Sequence, residues 1–339
     1  MALCRACGCL SWIYFKIIQL SNAFPQGAMS CMSSSFIHIA CPICGADSAK
    51  PLFLIEYSSK KVIQHLGAKE PEIRLVRCAS CHHRYADPII DPSLIAAYYS
   101  SDDSELYRNT EPVSFQHAFQ PAYQAFLRYI RRSIKVPGVL LDVGCGYGFF
   151  MKVMSDAGWK TYGIEPSPQA HRHARDILNL QVTQDLLSSE TYPGIDFNIV
   201  SLIDVMEHLS DPNAMLQAVR SRLAPHGHIC IATGNIESMN ARIARDAWGY
   251  FGSYEHISFY SRRSITYLLS RNGFAVKRIF SFGVQPAIRD ISNAIISNAQ
   301  VYIKNSIKRL LRKMGGKRSP EHGSLLYDHM FVVAQKAPC

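Results

Sequence analysis

The 339-residue sequence has no apolar run as long as the ~20 residues that a helix needs to cross a bilayer. The longest candidate, residues 10–20, is interrupted by Ser11, Lys16 and Gln19. Internal repeats are also missing, and 48% hydrophobic against 18% charged residues excludes a disordered or fibrous chain. The composition therefore predicts a globular protein without a transmembrane helix, built as one large domain with an accessory module or as two modest domains.

The 11 cysteines do not form the dense pattern of a disulfide scaffold. Four of them make up two C-x-x-C pairs, namely Cys41, Cys44, Cys78 and Cys81. Each pair can present two thiolates to one metal, and two pairs complete the tetrahedral set that a structural Zn²⁺ prefers. The 33 residues between the pairs exceed the usual spacing of compact zinc sites, and His82 and His83 are competing ligands. We expect zinc, with metal-free buried thiols or a redox pair as the alternatives.

Positive charge is concentrated near the C-terminus. The 36 Lys and Arg exceed the 26 Asp and Glu by 10, but seven of these cations lie between residues 304 and 318. Residues 287–314 place apolar side chains at helical spacing opposite a cationic stripe. We expect a basic helical insertion at 285–320 that either lies in a membrane interface or packs on the core with a solvated face.

The chain divides into four expected segments. Beyond Pro137, strands and helices alternate, which is typical of a parallel α/β sheet. The predicted order is a poorly ordered extension at 1–35, a small β module at 36–90, a helical linker or cap at 91–136 and an α/β domain at 137–339.

A glycine-rich turn follows the first strand of the α/β domain. The strand Val139–Val143 runs into Gly144-Cys-Gly-Tyr-Gly148, which opens a helix. A dinucleotide fingerprint would have its third glycine at position 149, which is Phe149, so the spacing disfavours NAD. The sequence also has no Gly-Lys-Ser/Thr phosphate loop, which disfavours nucleotide hydrolysis.

An acidic residue followed by G-x-G-x-G resembles the first motif of the class I S-adenosylmethionine-dependent methyltransferases. The resemblance implies a Rossmann-like, seven-stranded, mostly parallel sheet with helices on both faces. It places Asp142 and the glycine turn at the methionine end of the cofactor, Glu165 at the ribose hydroxyls and Asp185 near the adenine amine. The full set of implied S-adenosylmethionine contacts is Asp142, Gly144, Cys145, Gly146, Gly148, Glu165, Asp185 and Asp204.

Residues 204–212 and 248–260 resemble a narrower group, related to ubiquinone-biosynthesis O-methyltransferases and common in bacterial glycan and secondary-metabolite pathways. Many members of this group carry an N-terminal zinc ribbon. The resemblance covers roughly residues 41–282. Two departures, His226 for the first glycine of Leu-x-Pro-Gly-Gly and Gly234 for the proline of Thr-Pro-Asn, concern the substrate side.

An alcohol acceptor must lose a proton during methyl transfer, and a histidine with a pKa near neutrality suits that role. The group's acceptor pocket is lined by the segment after the fifth strand, which favours His256, with Glu255 to orient or replace it. His208, directly after the fourth strand, is the second candidate. The alternative is structural, with the Glu207-His208 pair anchoring the loop against the cofactor.

The sequence therefore predicts a cytoplasmic methyltransferase that acts on an oxygen, less favourably a carbon, of a sugar, a glycan intermediate or a small metabolite. Peripheral membrane contact through the basic helix stays open. An RNA methyltransferase is the first alternative, but a nucleic-acid partner is disfavoured because the cations cluster on one segment and the Asn/Asp-Pro-Pro-Tyr/Phe motif is absent. The second is a catalytically silent, zinc-stabilised binding module, against which the intact glycine turn and Glu165 argue.

Overall fold

The computed structural model describes residues 35–55, 63, 72–95, 112–282 and 328–338. The predicted N-terminal extension, apart from its last residue, and the predicted basic helix at 285–320 lie outside these ranges. Among the described helices, none is both long enough and apolar enough to cross a membrane.

The N-terminal part of the chain is built from short antiparallel strands. A two-stranded sheet joins the first and last of them, and the middle three form a second sheet. Their bounds are β1 (Phe36–Ile37), β2 (Ala49–Leu54), β3 (Arg74–Cys78), β4 (Arg84–Asp87) and β5 (Ile89–Ile90).

A seven-stranded sheet forms the centre of the molecule, in the order β12-β13-β10-β9-β6-β7-β8. All neighbours pair in parallel except those of β13, which is antiparallel to both β10 and β12. The central strands read as nearly continuous apolar runs because they are buried on both faces. The bounds are β6 (Val139–Val143), β7 (Lys160–Ile164), β8 (Gln181–Thr183), β9 (Phe197–Ile203), β10 (Leu223–Gly234), β12 (Phe274–Phe282) and β13 (His329–Lys336).

Helices cover both faces of this sheet, as expected. They are α1 (Pro112–Ser133), α2 (Phe149–Asp156), α3 (Pro168–Arg172), α4 (Pro212–Arg222), α5 (Met239–Ala244) and α6 (Arg262–Arg271). One apolar cluster holds α1 and α2 against Leu140, Ile199 and Phe331, and a second holds α4 and α6 against Leu141 and Leu202. This confirms the parallel α/β sheet predicted from the alternation and the Rossmann-like, seven-stranded architecture that the resemblance implies.

Local signals fix where several helices begin. Asp211 caps α4 by accepting a hydrogen bond from the backbone N–H of Ala214 at 3.0 Å, and Pro212 is its first residue. Ser261 and Ser264 form a reciprocal capping box at the start of α6. These caps orient the helices that follow the ends of the central strands.

The N-terminal module is continuous with the α/β domain. Strand β11 (Ser258–Phe259) pairs with β4 and extends the three-stranded sheet to four strands. The Asn213 side chain of α4 donates to the backbone oxygens of Pro42 and Ile43 at 2.9 and 3.2 Å. The first C-x-x-C turn is therefore tied to the same helix whose start follows β9.

Candidate cofactor and acceptor site

The glycine turn after β6 approaches its neighbours so closely that side chains are excluded. Gly148 has φ +85°, and a Cβ atom there would lie 2.8 Å from Leu180 Cδ1 and 2.9 Å from Ala174 Cβ. Gly144 has φ +70°, and a Cβ atom there would lie 2.9 Å from Val205 Cγ2. Glycine is required at both positions by backbone conformation and by packing.

Glu165 fastens this turn to the adjacent strand. Its carboxylate, 4% exposed at the end of β7, accepts from the N–H of Gly146 at 2.7 Å and from the N–H of Ser167 at 2.8 Å. Burial raises the pKa of Glu165 to about 7, against the opposing effect of the two N–H donors. One carboxylate thus bridges the first and second strand ends and retains further lone pairs for a ligand.

Two other acids lie at the same edge of the sheet. Asp142 is buried in β6 and accepts from the Ser201 hydroxyl at 2.6 Å. Asp204 follows β9 with φ +52°, and its buried Oδ1 has no hydrogen-bond partner among the described residues. Burial raises the pKa of each to about 7, with Glu165 adding to the effect on Asp142 and Glu207 to that on Asp204.

The remaining predicted cofactor residues are placed differently. The Cys145 side chain packs in the core with Met151 and Leu180, and its thiol donates to the Gly146 carbonyl oxygen at 3.8 Å. Asp185 is exposed just after β8, where its Oδ1 accepts from the Leu186 N–H at 2.7 Å. The edge formed by β9, β6, β7 and β8 therefore presents the predicted acids in the strand order in which they were expected.

These residues fit S-adenosylmethionine, which carries a sulfonium and an ammonium group. The buried, unpartnered Asp204 oxygen is suited to a cationic ligand, because leaving it unpaired costs about 1–3 kcal/mol. Asp142, Glu165 and Asp204 lie on three adjacent strands around a turn with little side-chain bulk. The edge therefore combines negative charge with room close to backbone.

The candidate proton acceptors form a buried cluster beside this edge. The side chains of Glu207, His208 and His256 approach within 4.8 Å of one another. The ring Nδ1 of His208 lies 3.1 Å from the Glu255 carbonyl oxygen, and that of His256 lies 2.7 Å from the Tyr250 carbonyl oxygen. Both contacts need a proton on Nδ1, which leaves the lone pair of each ring on Nε2.

Burial sets the protonation of these histidines. It lowers the pKa of His256 to about 4, and the neighbouring His208 acts in the same direction while Glu207 opposes it. The pKa of His208 is also lowered by burial. Both rings are therefore neutral near pH 7, the form that can accept a proton, but burial makes them weaker bases than the near-neutral histidine expected from the sequence.

Two residues at this cluster, Glu207 and the adjoining Tyr250, were not predicted to take part in catalysis. Glu207, 1% exposed, accepts hydrogen bonds from the Thr233 hydroxyl at 3.0 Å and from the Tyr250 hydroxyl. Tyr250 also contacts His256, with 4.4 Å between ring centroids. The sequence signal was the position of Tyr250 in the 248–260 segment, but only the fold shows that it meets the end of β9.

Comparison with known proteins agrees with this geometry. Residues 115–279 match the family model described as a methyltransferase domain. These residues, just under half of the chain, are therefore similar to a methyltransferase domain.

Ubiquinone biosynthesis O-methyltransferases are among the relatives of this methyltransferase domain. The protein of Xanthomonas campestris pv. campestris is 30% identical over 129 residues, which are 35% of this chain and 52% of the relative. That of Thiobacillus denitrificans is 33% identical over 103 residues, 28% of this chain and 44% of the relative. The chain thus spans about half the length of the curated relatives that it matches. Among solved structures, the magnesium protoporphyrin IX methyltransferase of Synechocystis PCC 6803 has a TM-score of 0.48 at 15% identity, covering 73% of this chain and 100% of its own.

The four cysteines of the C-x-x-C pairs meet next to the methyltransferase domain. Their sulfur atoms lie within 4.8 Å of one another, with Cys41 Sγ 3.5 Å from Cys81 Sγ and Cys44 Sγ 3.6 Å from Cys78 Sγ. Zn–S bonds of ~2.3 Å in a tetrahedron give sulfur separations of about 3.8 Å, so the set fits Zn²⁺. His83 is not part of it, because its buried ring faces the Ser258 hydroxyl at 3.3 Å.

Proposed function

We propose that the protein transfers a methyl group from S-adenosylmethionine to an oxygen of a small acceptor, with sugars, glycan intermediates and related metabolites as the acceptor class. The observation that carries the proposal is the edge described above, where Asp142, Glu165 and Asp204 lie on adjacent strands around the glycine turn. The names of the ubiquinone-biosynthesis relatives support an oxygen acceptor.

The cofactor supplies a methyl group activated by the sulfonium, so the protein contributes mainly alignment. Glu165 holds Gly146 and offers its remaining lone pairs to the ribose hydroxyls. Asp142 and Asp204 lie toward the methionine end, where their negative charge complements the ammonium and sulfonium. Asp185, exposed after β8, lies on the side assigned to adenine.

Proton removal from the acceptor is assigned to the histidine cluster. His256 accepts the hydroxyl proton on Nε2 while its Nδ1–H stays on the Tyr250 carbonyl oxygen. The buried Glu207 carboxylate stabilises the imidazolium that results, as its upward effect on the pKa of His256 indicates. His208 is the alternative base, and Glu255 positions it through its carbonyl oxygen.

We assign the four-cysteine cluster to a structural Zn²⁺. Four thiolates fill the tetrahedral shell and leave no open position for substrate. The metal would fix the sheet that β11 joins, only two residues after His256. Its contribution to catalysis is therefore the placement of the acceptor wall.

Cofactor binding can be tested by calorimetric titration of S-adenosylmethionine into the wild type and Asp204→Asn. Loss of the charge opposite a cationic ligand should weaken binding roughly 10-fold or more. Asp196→Asn is the matched control, because Asp196 is an exposed acid just before the same strand. A folded wild type that binds no S-adenosylmethionine would favour the silent binding module instead.

A further inference from the structure

Three cations lie side by side across the N-terminal sheet. In the strand register, Lys50 of β2 is opposite Arg77 of β3, and Arg77 is opposite Arg84 of β4. Directly opposed residues project from the same face, with Cβ atoms about 4.5–5.5 Å apart. The side chains therefore form a continuous row of positive charge, called here the cation row.

The cation row is not neutralised by the part of the chain that the structure describes. None of its three members makes an ion pair or a side-chain hydrogen bond there. Lys50 and Arg77 are exposed, whereas Arg84 is half-buried. Like charges directly opposed across strands destabilise a sheet, so this arrangement favours an anion as its missing partner.

Two charged residues of the α/β domain border the row. Arg77 and Arg242 of α5 add to burial in lowering the pKa of Arg84, while Glu237 opposes them. Arg242 makes no ion pair among the described residues, and Glu237 is exposed. Arg242 is thus a fourth cation close enough to affect Arg84, and Glu237 is one carboxylate beside it.

The row is close to the proposed acceptor site. Phe259 of β11 is opposite Arg84, so its side chain lies next to the end of the cation row on the same face of the sheet. The Phe259 ring lies 6.4 Å from the Tyr250 ring, and the Tyr250 ring lies 4.4 Å from the His256 ring. The row therefore adjoins the aromatic side chains that contact the histidine cluster.

We infer that Lys50, Arg77, Arg84 and Arg242 bind a phosphate or diphosphate group carried by the methyl acceptor. Planar guanidinium groups bind phosphate oxygens in pairs, and the row spaces two of them across adjacent strands. The acceptor class is then a phosphate ester or diphosphate ester whose hydroxyl reaches His256. That the bound anion belongs to the methyl acceptor rests on the proposed function, whereas the anion site itself does not.

Calorimetric titration tests the site with three probes: inorganic pyrophosphate, uridine diphosphate and geranyl diphosphate. We expect the wild type to bind pyrophosphate at low salt, and Arg84→Gln to weaken this binding at least 10-fold. Arg278→Gln is the matched control, because Arg278 is an exposed arginine on β12 without an ion-pair partner among the described residues, and this variant should bind as the wild type does. Tighter binding of uridine diphosphate indicates a nucleotide-linked acceptor, and tighter binding of geranyl diphosphate a lipid-linked one.

Thermal unfolding gives a second readout that separates misfolding from loss of the site. Pyrophosphate should raise the unfolding temperature of the wild type and of Arg278→Gln but not that of Arg84→Gln. Without pyrophosphate, Arg84→Gln should unfold at or above the wild-type temperature, because a like-charge contact is removed.

Three outcomes would overturn the inference. The wild type fails to bind pyrophosphate, or Arg84→Gln binds pyrophosphate as tightly as the wild type does. The third outcome is that the wild type binds an RNA oligomer more tightly than every diphosphate probe and that Arg84→Gln loses this RNA binding. S-adenosylmethionine binding measured on the same samples shows which idea has failed. If the cofactor binds and pyrophosphate does not, the anion site is wrong while the proposed function stands.

Discussion

Replacing Glu165 by glutamine should damage the cofactor edge although the two side chains have the same shape. The carboxylate accepts from two backbone N–H groups, those of Gly146 at 2.7 Å and Ser167 at 2.8 Å. A glutamine offers one acceptor oxygen and turns an NH₂ group toward the other N–H. One donor of this 4%-exposed site is then left unpaired.

The size of the effect follows from these contacts. Hydrogen bonds to charged groups contribute about 1.5–3 kcal/mol, and an unsatisfied buried donor costs about 1–3 kcal/mol. The lost hydrogen bonds destabilise Glu165→Gln, whereas the neutral amide removes the burial cost that raises the pKa of the carboxylate, so the two effects on the free energy of unfolding oppose each other. The variant's dissociation constant for S-adenosylmethionine should rise roughly 10-fold to 100-fold, since 1.4 kcal/mol corresponds to a factor of ten.

The measurement is calorimetric titration together with urea unfolding, both at about pH 8. At that pH the wild-type carboxylate is ionised, because its pKa is about 7. Glu190→Gln, an exposed glutamate on the loop after β8, should change either quantity very little. The prediction is wrong if folded Glu165→Gln, as shown by its urea unfolding curve, binds S-adenosylmethionine with wild-type affinity.

Three further predictions concern the other groups. Burial raises the pKa of Asp142 from 3.8 to about 7, so the stabilising effect of Asp142 is full below pH 3.8 and is lost as pH rises through 7. Measured by urea unfolding, the free energy of unfolding of Asp142→Asn should therefore fall less over this pH range than that of the wild type, by up to about 4 kcal/mol. Parallel pH dependences of the two proteins would contradict this. Cys78→Ser should release zinc in a metal assay and lower the unfolding temperature, whereas Cys230→Ser, at a buried cysteine outside the cluster, should keep the metal; zinc retained by both variants would refute the assignment. His256→Asn should lower kcat for methyl transfer 10²-fold or more, as loss of a general base does (~10²–10⁴), while S-adenosylmethionine affinity changes little; a larger loss in His208→Asn would move the base to that residue.

The central strands could be predicted from the sequence because their environment is uniform. Strand β6 begins and ends at the predicted residues, since parallel strands buried on both faces are apolar runs bounded by polar or glycine residues. Strand β10 starts at Leu223, before its apolar run, and its pairing with β9 shifts register between Leu223 and His228. The polar Pro225-His-Gly227 stretch does not look like part of a strand, and the pairing of Leu223 depends on its contact with Phe197 of β9.

The site was predictable where its chemistry is local. The glycine turn and Glu165 follow strand ends, so topology alone places them together. The Glu207–Tyr250 hydrogen bond and the pairing of β4 with β11 join residues that are distant in sequence. Such contacts depend on tertiary packing, which periodicity does not reveal. The cation row is also hidden, because its members become neighbours only through strand register.

A crystal structure of the protein with S-adenosylhomocysteine bound tests the central claim most directly. We expect the ribose hydroxyls of the bound molecule to lie within hydrogen-bond distance of Glu165, and its amino-acid end to lie beside Asp204 and the Gly144–Gly148 turn. The claim is contradicted if the molecule lies away from the carboxyl edge of β6, β7 and β9, or if crystals of the folded protein bind none at saturating concentration.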